Sequence, residues 1–234
     1  MSALYLIPTT LGECSLSSVL PGGNGEIVRS IRHFIVEEER TARRFLKLVD
    51  KQIDINALTF YPMGKHADHA LYRSYLESLR QGQDMGLISE AGCPAVADPG
   101  ADIVAIAQAE GLKVVPLVGP SSIVLALMAS GCNGQNFAFV GYLPAQPAPL
   151  RAALKRIEAR ALAEHQTQIF IETPFRNVGL MQTMLQTLRP QTRLCVAAAL
   201  TTAAEFVRTL TIAEWRAAPE PPIRKVPTIF VVGA

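Results

Sequence analysis

The chain has 234 residues, 49% of them hydrophobic and 18% charged, with a formal net charge of +2. That length can bury one large core or two smaller ones, and no run approaches the roughly 18 apolar residues that a membrane span needs. A charge so close to neutral gives no global argument for nucleic-acid binding, so any affinity for RNA has to come from a local patch.

Cys14, Cys93, Cys132 and Cys195 are far apart and never form a Cys-x-x-Cys pair. This argues against a structural zinc site and suits a reducing compartment. The N-terminus opens directly on the strand-like Ala3-Leu4-Tyr5-Leu6-Ile7, without a basic leader, so a cytoplasmic protein is expected.

Along the chain, short β-branched runs alternate with helix-length amphipathic stretches. Strands are predicted at 4–8, 33–37, 85–89, 113–118, 138–141, 168–171, 194–198 and 228–232. Helices are predicted at 41–50, 68–80, 101–110, 121–130, 148–164 and 174–188. Such alternation argues for an α/β protein with a largely parallel sheet. The runs 193–200 and 206–210 follow one another without a helix, which points to an antiparallel addition. Pro21-Gly22-Gly23-Asn24-Gly25 reads as a turn, because it lacks the spacing of a phosphate or dinucleotide loop. Pro116 and Gly119-Pro120 interrupt the pattern, placing a boundary between lobes of residues 1–116 and 117–234. Pockets favour such boundaries. The prediction is therefore two α/β lobes with mixed, largely parallel sheets and a ligand in the cleft between them.

Residues 89–100, Ser-Glu-Ala-Gly-Cys-Pro-Ala-Val-Ala-Asp-Pro-Gly, hold two prolines, two glycines and two carboxylates between a predicted strand and a predicted helix. Most such loops have about 2–6 residues, and ligands in open α/β sheets bind outside the carboxyl ends of the strands. Gly119-Pro120-Ser121-Ser122 ends the next predicted strand and opens a helix; a serine cap alone explains it, but with the first loop it can line one nucleoside-sized pocket. In Glu37-Glu38-Glu39-Arg40-Thr41-Ala42-Arg43-Arg44-Phe45-Leu46-Lys47, the acids stand where a helix should start. Arg40, Arg43, Arg44 and Lys47 then share one helix face, either contacting phosphates or pairing with the acids in solvent. Glu172 closes a predicted strand ahead of Pro174. His66 and His69 lack further metal ligands, and His66 is kept as a polar contact in a cleft.

Together these segments resemble the tetrapyrrole-methylase superfamily of S-adenosylmethionine-dependent methyltransferases, and within it the bacterial 16S rRNA cytidine ribose 2′-O-methyltransferases. The family pattern Ser-Asp-Ala-Gly-Thr-Pro-x-x-Ser-Asp-Pro-Gly stands here as residues 89–100, with Glu90 for Asp and Cys93 for Thr. Val-Pro-x-Pro-Gly-Pro-Ser-Ala stands as residues 115–122, Gly-Phe-Leu-Pro as 141–144, and Tyr-Glu-Ser-Pro-His-Arg as 171–176, with Phe175 in place of His. Glu-Asp-Thr-Arg-x-Thr-Arg corresponds to residues 37–43, and Arg-Glu-Leu-Thr to Ala198-Ala199-Leu200-Thr201.

The resemblance implies an S-adenosylmethionine pocket built from Glu90, Ala91, Gly92, Cys93, Val96, Ser121, Ser122, Glu172 and Leu200. It also implies a 16S rRNA or small-subunit substrate and a homodimer, with no metal or membrane involved. Glu38 is the candidate general base and Arg40 the candidate for orienting the substrate. The alternatives are methylation of a small molecule such as a tetrapyrrole, or a non-catalytic cofactor- or RNA-binding module.

Overall fold

A computed structural model of the protein describes residues 2–64 and 67–233. His66 lies outside them. The chain divides into two compact units, Met1–Ser121 and Ser122–Ala234.

In the first unit the elements run β1 (Leu4–Ile7), α1 (Leu16–Val19), α2 (Gly22–Ser30), β2 (His33–Val36), α3 (Glu39–Val49), β3 (Thr59–Pro62), α4 (Tyr72–Tyr75), α5 (Glu77–Arg80), β4 (Met85–Ile88), α6 (Gly100–Ala109) and β5 (Val114–Pro116). The five strands form one parallel sheet in the order β3-β2-β4-β1-β5. Both faces of the sheet are covered, so its inner strands are apolar almost throughout.

On one face Leu4, Ile35, Met85 and Leu87 pack with Tyr72, Leu76, Leu79, Ile103 and Ala107. On the other, Ile7, Phe34, Val36 and Ile88 pack with Val28, Ala42, Phe45 and Leu46. Gly86 faces the second layer, where an added Cβ would meet Ile7 Cδ1 at 2.6 Å and Phe34 Cδ1 at 2.8 Å. The chain leaves β1 through α2 on one face and leaves β4 through α6 on the other. Strand order therefore switches between β1 and β4, the position at whose carboxyl edge α/β sheets bind ligands.

The second unit contains α7 (Ser122–Ser130), β6 (Phe137–Tyr142), α8 (Pro147–Glu164), β7 (Thr167–Ile171), α9 (Asn177–Thr187), β8 (Arg193–Ala198), β9 (Phe206–Thr211), α10 (Ile212–Ala217) and β10 (Thr228–Gly233). Its sheet runs β6-β7-β10-β8-β9. Only β6 and β7 pair in parallel; β10 is antiparallel to β7 and β8, and β9 is antiparallel to β8. Phe170, Val196, Phe230 and Val232 face a core with Leu154, Ile157, Leu180, Met184 and Trp215. α7 packs on β8, β9 and β10, its end tied down where Thr209 Oγ1 donates to Ser130 O at 2.8 Å.

Several elements differ from the sequence expectation. The supposed turn at 21–25 is the entry to α2, with Pro21 as its N-cap and Asn24 Nδ2 donating to Val118 O at 2.9 Å. The helix expected at 68–80 is broken into a 3₁₀ turn, His69–Leu71, and the short helices α4 and α5. β3 is an added edge strand, where its terminal Pro62 is tolerated. The units divide after Ser121 rather than after residue 116, because the intervening stretch is fastened to the first unit. Leu117 N donates to Leu6 O at 3.0 Å, and Val118 O accepts from Asn24.

Candidate active site

The loop between β4 and α6 sits at the switch point of the first sheet and is stiffened by its own polar groups. Ser89 Oγ donates to Gly92 O at 2.7 Å, and Thr9, just past β1, donates through its N–H to Gly92 O at 3.0 Å and through Oγ1 to Ser89 O at 3.2 Å. Asp98 Oδ1 accepts from Ala95 N at 2.7 Å and Gly100 N at 2.9 Å, closing the second half of the loop onto the start of α6. Ala95 and Ala97 adopt φ values of 63° and 60°, a left-handed conformation that non-glycine residues adopt only when their surroundings impose it. Cys93 Sγ reaches Pro120 O at 3.4 Å, and burial pushes its thiol pKa up. An added Cβ on Gly119 would lie 2.2 Å from Pro8 Cγ, so only glycine lets the post-β5 turn approach the post-β1 turn.

The adjacent end of β2 supplies the carboxylates. Glu38 is the N-cap of α3 and accepts from Arg40 N at 3.3 Å. The Thr41 side chain and the Glu38 N–H lie close enough to Glu90 to favour its charged form, and the Glu90 N–H does the same for Glu37. The start of α3 therefore lies beside the loop after β4. Burial raises the Glu37 pKa, and the charges of Asp98 and Glu90 raise it further. Glu90 is likewise raised, first by burial, and Asp98 by burial against the two N–H groups it accepts. Asp98 Oδ2 is buried without a hydrogen-bond partner.

Of the expected cofactor residues, the first unit therefore gathers Glu90, Ala91, Gly92, Cys93 and Val96 on one loop, with Val96 49% exposed. Gly119 and Pro120 carry the chain to Ser121 beside that loop. Glu90 lies beside the start of α3. Arg40 is exposed on α3. Arg43 pairs with Glu39, Nε to Oε1 at 2.8 Å, and lies 5.3 Å from the Phe60 ring centroid, so the basic face is partly satisfied within the unit. Sequence reasoning passed over Glu37, Thr9 and Asp98 as individual site residues. The capping pattern of Asp98 ahead of a helix was the available signal for one of them.

In the second unit, Glu172 directly follows β7, buried, with Oε2 on Arg176 Nη2 at 2.8 Å and Oε1 accepting from Thr173 N at 2.7 Å. Leu200 is buried in the turn after β8, between Ala199 (φ 49°) and Thr201 (φ 69°). The pairing of Ile229 with Ile171 and of Thr228 with Ala198 puts Glu172 and Leu200 at the same end of that sheet. Ser122 begins α7, whose other end is fixed to β9.

The chain matches the family model of tetrapyrrole (corrin/porphyrin) methylases over residues 25–215. It is 34% identical over 211 residues to ribosomal RNA small subunit methyltransferase I of Pseudomonas aeruginosa, covering 90% of this chain and 71% of the relative. To the protein of the same name from Vibrio cholerae it is 30% identical, covering 90% and 69%. Among solved structures, the methyltransferase CobJ superposes with a TM-score of 0.65 at 16% identity, covering 100% of this chain and 94% of the other. Uroporphyrin-III C-methyl transferase from Thermus thermophilus, complexed with S-adenosyl homocysteine, gives 0.57 at 18%, covering 99% and 97%. Likeness at such identities establishes the fold. The family match over most of the chain establishes more, and this protein belongs to the tetrapyrrole (corrin/porphyrin) methylases.

Proposed function

We propose that the protein is an S-adenosylmethionine-dependent methyltransferase that modifies a ribose 2′-hydroxyl of 16S rRNA in the small ribosomal subunit. The observation that carries this reading is identity of 30–34% over 90% of the chain to proteins named ribosomal RNA small subunit methyltransferase I.

The residues present fit the cofactor. The loop after β4 lies at the switch point, exposes Val96, and holds a buried carboxylate oxygen, Asp98 Oδ2, that lacks a partner. Ala91, Gly92, Cys93 and Val96 would hold the nucleoside from the first unit, and by family resemblance Glu90, Ser121, Ser122, Glu172 and Leu200 are further cofactor contacts. When bound, the cofactor supplies a methyl group activated on a sulfonium, so orientation of the acceptor provides much of the rate.

This chain's part is to place the ribose hydroxyl and accept its proton. Glu38, exposed at the carboxyl end of β2, takes the proton, and Arg40 steadies the neighbouring phosphate. The protein works as a cytoplasmic homodimer. Tritiated S-adenosylmethionine with isolated small subunits tests the proposal. Label is expected on one 16S ribose, and label on a base, or none, overturns it. Calorimetric titration with the cofactor tests binding separately.

A further inference from the structure

The second unit carries an exposed aromatic ring with a cation over it, at the end of the sheet where β7 and β8 finish. Phe175 is 79% exposed, and Lys225 Nζ lies 5.9 Å from its ring centroid. The arrangement is fixed from several directions. Lys225 adopts φ 59°, and its N–H donates to Pro174 O at 3.1 Å. Asn177 Nδ2 donates to Val226 O at 2.7 Å, which ties the Lys225 segment to the first turn of α9. Arg176 is held by Glu172, whose side chain is 2% exposed. Tyr142, 61% exposed, ends β6 in register with Ile171 at the same sheet end.

A single exposed phenylalanine is ordinary, but a ring with a lysine held over it from a backbone-strained position has a specific chemistry. An apolar protein partner would seek an apolar surround, whereas the group set over this ring is the Lys225 ammonium. Unpaired nucleobases stack on aromatic faces while cations meet the adjacent phosphates. We propose that Phe175 and Lys225 form a stacking platform for an unpaired base of the RNA substrate. The proposal rests on the rRNA reading above and names how that substrate is held.

The test uses the full chain and a fluorescein-labelled 12-nucleotide single-stranded RNA of mixed sequence, with a duplex of the same length as comparison. Phe175→Leu should weaken single-strand binding by about 5- to 150-fold, the range expected for losing one stacked base, and leave duplex binding unchanged. Phe175→Trp should retain affinity, and Lys225→Ala should make the logarithmic salt dependence shallower by about 0.7. Equal affinity of Phe175→Leu and the parent for the single strand overturns the platform. So does a parent protein that binds the single strand no better than the duplex, as expected if the patch docks a protein. Oligonucleotide binding needs no methyl transfer, so the two readings fail separately. Ring-dependent binding without transfer to small subunits removes only the rRNA methyltransferase reading, and transfer without ring dependence removes only the platform.

Discussion

Glu37 and Glu38 are neighbours in sequence with opposite surroundings, and they should respond differently to neutralisation. Glu38 is exposed, so Glu38→Gln is expected to lower kcat by about 10²- to 10⁴-fold while cofactor affinity, read by calorimetry, stays as it was. Glu37 is raised in pKa by burial and by Asp98 and Glu90. In the unfolded chain it ionises at its ordinary value, so its contribution to stability is fully present below that value and is lost as pH rises through the folded one. Glu37→Gln, which keeps the shape of the side chain and removes its charge, should therefore raise the melting temperature at pH 7–8. The gain should shrink towards zero as the pH is lowered to about 4. A gain that grew on acidification would contradict the carboxylate cluster. Gly119 makes the sharpest steric case at this scale. Gly119→Ala would set a methyl 2.2 Å from the Pro8 ring, and a loss of about 1–3 kcal/mol is expected in chemical denaturation.

At the scale of elements, α3 joins two functions. Its inner face, Ala42, Phe45 and Leu46, closes one layer of the first core. Its start lies beside Glu90, and its outer face carries Arg40, Arg43, Arg44 and Lys47. These cations are not equivalent, because Arg43 is already paired with Glu39 and set over Phe60. Arg44→Ala should weaken RNA binding and make its salt dependence shallower by about one. Arg43→Ala should act mainly by lowering the melting temperature. Filter binding across a salt series and thermal denaturation separate the two; equal salt slopes for parent and Arg44→Ala would remove this face from the RNA contact. Elements with strong local signals were legible in the sequence: α3, α6, α8 and the inner strands all follow from apolar period and capping. α2 and β3 were not. Glycines open α2 and obscure its period, and β3 is a half-exposed edge whose Pro62 argues against a strand unless its place in the sheet is known.

At the scale of the whole molecule, the family match fixes the architecture and leaves the acceptor to chemistry. Solved tetrapyrrole methyltransferases share this fold at only 16–18% identity, whereas the proteins named ribosomal RNA small subunit methyltransferase I are related in sequence at 30–34%. Supplied with labelled S-adenosylmethionine, the protein should methylate small subunits and leave a tetrapyrrole unlabelled; the reverse result would move it to the small-molecule branch. Among the described residues no helix is long and apolar enough to cross a membrane.

The sequence by itself determined the alternation of strands and helices, the oversized loop at 89–100 and the family, because period, proline, glycine and cap chemistry act over a few residues. Only the tertiary structure decided which side chains meet. Glu37, Glu90 and Thr41 come together because β2 pairs with β4 in a register that places their carboxyl ends side by side. Phe175 acquires Lys225 because the chain returns to the start of β10 beside the end of β7. Such contacts depend on strand order and register, which local propensity does not encode.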